Sequence, residues 1–235
     1  MKKPLIGISC NYRPHEGQRG TFNLDRAYTE AVYRNGGIPQ IIPIMPVEEI
    51  PELLDLYDGL VFSGGGGLLP HVKKMDPLPG LKEQNPVRYE FEFELIRQAI
   101  EREMPILGLC RGHQMINEVL GGTIVNLKEK NHMQKTPGKQ PYHKIAIRND
   151  SILFACIKDE EADVNSFHSQ VVEEAGQNLK VTAYSDDHLI ESVESTSSQF
   201  VMGLQFHPEF MLEDEKMMNI YKVFVEAARD RGRKG

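Results

Sequence analysis

Gly108-Leu109-Cys110-Arg111-Gly112 is the stretch that most constrains what this chain can fold into. An apolar run of strand length, Pro105-Ile106-Leu107-Gly108-Leu109, leads into it. Met115, Ile116, Val119 and Leu120 follow at helical spacing, and Gly121-Gly122 stops the pattern. Glycines two before and two after the central residue let a strand turn sharply into a helix, holding that residue in a strained conformation with its side chain exposed. A thiol at that tip lies beside a helix N-terminus, whose partial positive charge favours thiolate. The same turn aims the backbone N–H of Arg111 at a reacting carbonyl, which makes half of an oxyanion hole. A lone cysteine in a strand–helix turn is otherwise a small buried hydrophobe. The glycine spacing and the strand–turn–helix context together favour Cys110 as a nucleophile.

A second motif supplies what a thiol nucleophile needs. Phe200 to Phe206 is apolar enough for a strand and runs into His207-Pro208-Glu209. Proline fixes its own φ and pushes the preceding residue toward extended backbone. In extended chain residues i and i+2 project to one side, so Glu209 can orient one nitrogen of His207 and leave the other to face a thiol. Upstream, Ser63-Gly64-Gly65-Gly66-Gly67 follows a strand but lacks the lysine of a phosphate-binding loop. It reads as an oxyanion loop in which the N–H of Gly65 (or Gly66) joins that of Arg111.

Gly-Leu-Cys-Arg-Gly-His-Gln followed by Gln-Phe-His-Pro-Glu resembles the class I glutamine amidotransferase domain, whose catalytic order is Cys, His, Glu. Leu5-Ile6-Gly7-Ile8, Tyr28 through Pro43, Phe62-Ser63-Gly64-Gly65, Arg88 with Glu92, and Val164-Asn165-Ser166-Phe167-His168-Ser169-Gln170 resemble one branch of it, the γ-glutamyl-γ-aminobutyrate hydrolase-like enzymes of peptidase family C26. The likeness runs from about Leu5 to Phe210. It implies cysteine-dependent cleavage of a γ-glutamyl amide through a glutamyl thioester, with no metal or cofactor and a small γ-glutamyl substrate as the only partner. The chain departs from the branch at Gly67, Asn85 and Tyr89, where acidic residues are usual. Those positions, with Gly67–Pro79 and Lys128–Gln140, are expected to wall the amine side of the site.

Within that frame Gln114 is a candidate for the glutamyl pocket, and Asn165, Ser166 and Gln170 for polar contacts to a zwitterionic head. His168 is the rival base, less favoured because no carboxylate stands two residues on. Arg88 either binds a substrate carboxylate or pairs with Glu92 one helical turn away. His113 reads as a structural histidine, and His132 and His143 match no metal-ligand spacing. Two further readings stay open: a glutaminase subunit that passes ammonia to a synthase, and a non-catalytic binding module on the same fold.

The remaining chain agrees with one α/β domain over residues 1–235. Strands alternate with helical patterns and no repeat intervenes, which predicts a doubly wound, mostly parallel sheet with a smaller antiparallel portion in the C-terminal half. The elbow then lies at the carboxyl end of a central strand. Ile38–Ile44 is expected at an edge because of its prolines, and Lys128–Gln140 as a mobile loop. No apolar run is long enough for a bilayer. Met1-Lys2-Lys3-Pro4 opens into a strand without a signal-peptide pattern, and Cys10, Cys110 and Cys156 are a sparse set, so a cytoplasmic location is expected. A net charge of −7 disfavours nucleic acid and anionic membranes. Arg229, Arg231, Arg233 and Lys234 read as dipole-complementing cations of a terminal helix. A homo-oligomer stays open.

Overall fold

The computed structural model describes residues 2–15, 18–65, 68–69, 71–129 and 131–232. Gly66, Gly67, Arg233 and Lys234, named above, lie outside them. Five short strands form the parallel part of the sheet: β1 (Leu5–Ser9), β4 (Ile38–Ile42), β5 (Gly59–Phe62), β6 (Ile106–Leu109) and β13 (Val201–Leu204), in the order β4-β1-β5-β6-β13. β1, β5, β6 and β13 are apolar on both faces because helices cover both. Between β1 and β4 the chain makes a separate hairpin, β2 (Asn11–His15) and β3 (Gln18–Asn23).

The helices follow their own end signals. α1 (Arg26–Arg34) starts where the Asp25 carboxylate accepts from the Ala27 N–H at 2.8 Å, and ends ahead of Gly36, whose φ of +81° is a left-handed turn. α2 (Ile50–Leu54) and α3 (Leu81–Gln84) are short. α4 (Pro86–Glu101) has Asn85 as N-cap and proline in its first turn. α5 (Arg111–Val119) follows β6 directly, and its C-terminal stop at Gly121 has φ +82°. The last helix, α7 (Glu215–Arg231), is capped by Asp214.

Two cores result, one on each face of the sheet. α1 and α7 bury Ala31, Val32, Ile220, Phe224 and Val225 against one face. α2, α4 and α5 bury Leu54, Leu95, Ile96, Met115 and Ile116 against the other. Truncating Phe224 to alanine would cost about 3–5 kcal/mol by cavity formation.

Beyond β13 the sheet turns antiparallel. β12 (Ile190–Ser195) pairs β13, β11 (Leu179–Ser185) pairs β12, β8 (His143–Ile147) pairs β11, and β9 (Glu161–Val164) closes that edge. β10 (Gln170–Glu174) branches off β12 and carries β7 (Thr123–Asn126), completing eleven strands. The parallel central part of the sheet with its antiparallel C-terminal portion matches the expectation from sequence, and β4 pairs β1 at the edge. The hairpin, β7, β10 and α6 (Ile152–Ile157) have no counterpart in the sequence reading. α6 begins where the Glu194 carboxylate accepts from the Ile152 and Leu153 amides, both at 2.8 Å, a cap supplied from another strand.

The described residues of 128–140 are irregular, as expected, but they are stapled down. Gln134 accepts from the Ser166 amide at 2.7 Å and donates to the carbonyls of Thr136, Pro137 and Gln140. Met133 bridges Phe167. A loop that polarity marks as mobile is organised by one buried amide that satisfies its backbone. Among the described residues no helix is long and apolar enough to cross a membrane.

Candidate active site

The turn from β6 into α5 has the geometry the glycine spacing demands. Cys110 sits at φ +49°, ψ −102°, a region L-residues avoid and one costing about 1–3 kcal/mol. Its own N–H donates to the Leu204 carbonyl at 2.7 Å, which anchors the elbow to β13. Gly112 lies against the Phe62 carbonyl so closely that a Cβ there would overlap it. The elbow is therefore packed onto the end of β5, where the glycine loop starts.

His207 leaves the end of β13 and reaches the same place. Its Nδ1–H donates to Glu209 Oε1 at 2.6 Å, both side chains buried. Asn165 brackets the backbone of His207: Oδ1 accepts its N–H and Nδ2 donates to its carbonyl, both at 2.8 Å. Phe210 stacks on the imidazole with centroids 5.4 Å apart, and Phe167 meets it edge-on at 5.9 Å. Burial disfavours the charged imidazole, but the Glu209 carboxylate and the Cys110 sulfur outweigh it and hold His207 well above the ordinary histidine value.

Cys110 and His207 line one cavity of about 480 Å³, together with Ser63, Gly64 and Gly65. The Gly64 N–H is used by the Tyr28 hydroxyl at 2.8 Å, and a Cβ at 64 would lie 2.8 Å from the His207 ring, so the loop must be glycine there. Gly65 stands next in the loop, with open space around its α-carbon. The Arg111 amide is the first of α5, among those a helix leaves without an intrahelical partner. Burial and then the Glu209 charge raise the Tyr28 phenol far above its usual value, so it stays neutral between the loop and the carboxylate.

A buried ionic network holds the loop from behind. Arg88 Nε donates to Glu92 Oε1 at 2.8 Å. Its other nitrogens reach the Ser63 carbonyl at 2.9 Å, the Gly64 carbonyl at 3.1 Å and the Asn11 side chain. Ser9 donates to Glu92 at 2.7 Å and accepts from the Ser63 amide. The Arg111 guanidinium lies 3.6 Å from the second Glu92 oxygen, and burial lowers it to about 10. Of the two readings of Arg88, the structure shows the pairing with Glu92.

Several sequence candidates turn inward instead of lining the cavity. Gln114 donates to the Gln170 carbonyl at 2.7 Å and to Gln205 at 3.1 Å. Gln170 accepts from Gln84 at 2.6 Å and donates to the Pro79 carbonyl. Ser166 donates to the His132 carbonyl at 3.0 Å. His168 is buried, and its nearest carboxylate, Glu191, is 3.7 Å away. Burial and then the neighbouring His132 and His207 lower His168 to about 3. Asn85 caps α4 and donates to the Tyr12 carbonyl, while Tyr89 lies toward Glu118. Cys10 donates to the Ile42 carbonyl, and burial raises Cys10 to about 11 and Cys156 to about 12.

Among the described residues the cavity wall comes from Asn11, Arg13 and Asn23 of the hairpin, with Asp25, Phe167 and Phe210, and not from Asn85, Tyr89 or the described parts of 67–79 and 128–140; Gly67, Pro70 and Lys130 of the expected wall lie outside those residues. The sequence signal for the hairpin was the Tyr12 and Phe22 pair, which faces across the register with ring centroids 5.6 Å apart. A larger groove of about 880 Å³ runs behind Glu209 past Lys139, Lys144 and Met217, and includes neither Cys110 nor His207.

Comparison with known proteins agrees with this geometry. The chain is 32% identical to Protein NtpR of Enterococcus hirae over 88% of its length and 91% of that protein. It is 27% identical to the γ-glutamyl-γ-aminobutyrate hydrolase PuuD of Escherichia coli K12, over 97% and 95%. A glutamine amidotransferase of Thermotoga maritima superposes with a TM-score of 0.62 at 16% identity, covering both chains in full, which shows a shared fold. The peptidase C26 family model matches residues 4–209, a span that holds the elbow, the glycine loop and the His-Pro-Glu turn, and the chain belongs to that family of class I glutamine amidotransferase-like proteins.

Proposed function

We propose that this protein hydrolyses the γ-amide bond of a small γ-glutamyl amine of the γ-glutamyl-γ-aminobutyrate type. The observation that carries the reading is the placing of Cys110, on its strained elbow, in one cavity with a histidine held at 2.6 Å by a buried carboxylate. In this reading the Cys110 thiolate attacks the δ-carbonyl and forms the C–S bond. The Gly65 and Arg111 amides hold the oxyanion. His207 gives its proton to the leaving amine as the C–N bond breaks. It then takes a proton from water, which attacks the glutamyl thioester and releases glutamate and the thiolate. Arg13 and Asp25, of opposite charge on the cavity wall, suit the carboxylate and ammonium of a glutamyl head. The similarity to PuuD supports the substrate class.

Steady-state hydrolysis of a panel of γ-glutamyl amines by the purified protein, with glutamine and with Cys110→Ala as control, tests this. Cleavage of γ-glutamyl amines without any added protein is expected. Glutaminase activity that appears only with a synthase would favour the ammonia-delivering subunit. No cleavage of any amide would favour a binding module.

A further inference from the structure

On the antiparallel side of His207, four ionisable side chains converge that the reaction above does not use. Glu191 of β12 is wholly buried, and neither carboxylate oxygen has a hydrogen-bond partner. Three imidazoles surround Glu191 Oε1: His143 Nε2 at 3.6 Å, His168 Nε2 at 3.7 Å and His132 Nδ1 at 4.0 Å. These separations are too long for hydrogen bonds. A carboxylate left this way, wholly out of water, is costly. The distances instead suit donors arranged about a common atom. Tetrahedral donors about 2.1 Å from a zinc-class ion are about 3.4 Å apart, and the donor atoms of His132, His168 and Glu191 all lie within 4.8 Å of one another.

We propose that Glu191, His168 and His132 bind one divalent transition-metal ion of the zinc class, with His143, 3.6 Å from the same carboxylate oxygen, beside the set. Imidazole with carboxylate suits zinc, cobalt or nickel and disfavours magnesium and calcium, which take oxygen ligands. An outer carboxylate is also in place: Asp187 Oδ2 accepts from His132 Nε2 at 3.0 Å, and Nδ1, 3.0 Å from Ser166 Oγ and 4.0 Å from Glu191, is free for the ion when the Ser166 hydroxyl donates to the His132 carbonyl. The Asp187 side chain is 44% exposed, so it stands at the entrance. The ion would tie together the segment 128–140, β8, β12 and the turn between β9 and β10. That turn carries Asn165, which brackets His207. The role is structural, and it does not depend on which amide the enzyme cleaves.

The test uses the full chain carrying Cys110→Ala, which removes the thiol–imidazole pair as a competing metal site. After chelation and dialysis, cobalt(II) and zinc(II) are titrated, with bound metal counted by elemental analysis and zinc affinity measured by chelator competition. One ion per chain, with visible cobalt d–d bands and no sulfur charge-transfer band, is expected. Glu191→Gln should weaken zinc binding at least a hundredfold, and Asp187→Asn about 10–100-fold. Failure of the Cys110→Ala chain to hold one equivalent overturns the proposal. So does binding that is unchanged in Asp187→Asn, a readout that remains if Glu191→Gln does not fold.

Discussion

Two buried ionic assemblies flank the cavity, and they are built by opposite rules. On the parallel side Arg88, Glu92, Ser9 and Ser63 are closely bonded, with contacts of 2.7 to 3.1 Å around Glu92 Oε1 and the loop carbonyls, and the Arg111 guanidinium stands 3.6 Å from the other Glu92 oxygen. On the antiparallel side Glu191 stands 3.6 to 4.0 Å from three imidazoles and bonds to none. In the first assembly Arg88 and Ser9 bond the glycine loop directly and share Glu92 Oε1. In the second the carboxylate and the imidazoles converge without bonding one another. Groups that fix a loop bond it directly, whereas the second set, in our proposal, is held apart to share an ion.

That contrast can be broken at several points. Cys110→Ala should lower turnover by on the order of 10⁴–10⁶, while Cys10→Ala and Cys156→Ala stay near wild type. Intact-protein mass spectrometry should place a glutamyl adduct on Cys110, and an adduct elsewhere would move the nucleophile. His207→Ala should cost about 10²–10⁴, with Glu209→Gln costing less. Comparison of kcat with His168→Gln separates the two sides: a larger loss in His168→Gln would give the base role to the antiparallel cluster.

Asn165→Ala leaves the His207 N–H without a partner and removes one of the two donors to its carbonyl, the Phe210 amide remaining. It should cost about 1–3 kcal/mol in a denaturant melt and lower kcat more than it raises KM, because it releases the base and not the substrate. The smallest effect concerns pH. A histidine whose folded value is raised contributes stability that is fully present below about 6.5, its unfolded value, and is lost as pH climbs through the folded value. The stability deficit of His207→Ala against wild type should therefore be largest below neutrality and shrink toward alkaline pH. A deficit independent of pH would mean that Glu209 and Cys110 do not hold a charged imidazole.

How far the sequence could be read follows from how local each feature is. The elbow, the His207–Glu209 pair and the Arg88–Glu92 pair are encoded by spacings of two or four residues, and a single backbone conformation turns each spacing into a contact. The parallel strands were legible because burial on both faces demands continuous apolar runs. The histidine cluster was not, since residues 132, 143, 168 and 191 meet only after β8, β11 and β12 have paired. Gln114, Ser166 and Gln170 are polar side chains near a presumptive site, and composition cannot say whether their partner is a substrate or the protein's own backbone. The structure gives them the backbone or another buried amide. The hairpin was missed because its two strands expose polar residues and signal themselves mainly through one aromatic pair.

The pairing of β6 with both β5 and β13 has a kinetic consequence. Ile106 faces Leu60 on one side and Val201 on the other, so the strand that ends in Cys110 completes its hydrogen bonding only when a segment from the far end of the chain arrives. Closing so long a loop is entropically slow compared with forming the neighbouring helix–strand units. A ribosome-bound chain that already displays the elbow sequence still has no anchor for the Cys110 amide, because the Leu204 carbonyl has not yet been delivered. The thiol thus becomes a positioned nucleophile only after the chain through β13 has been made.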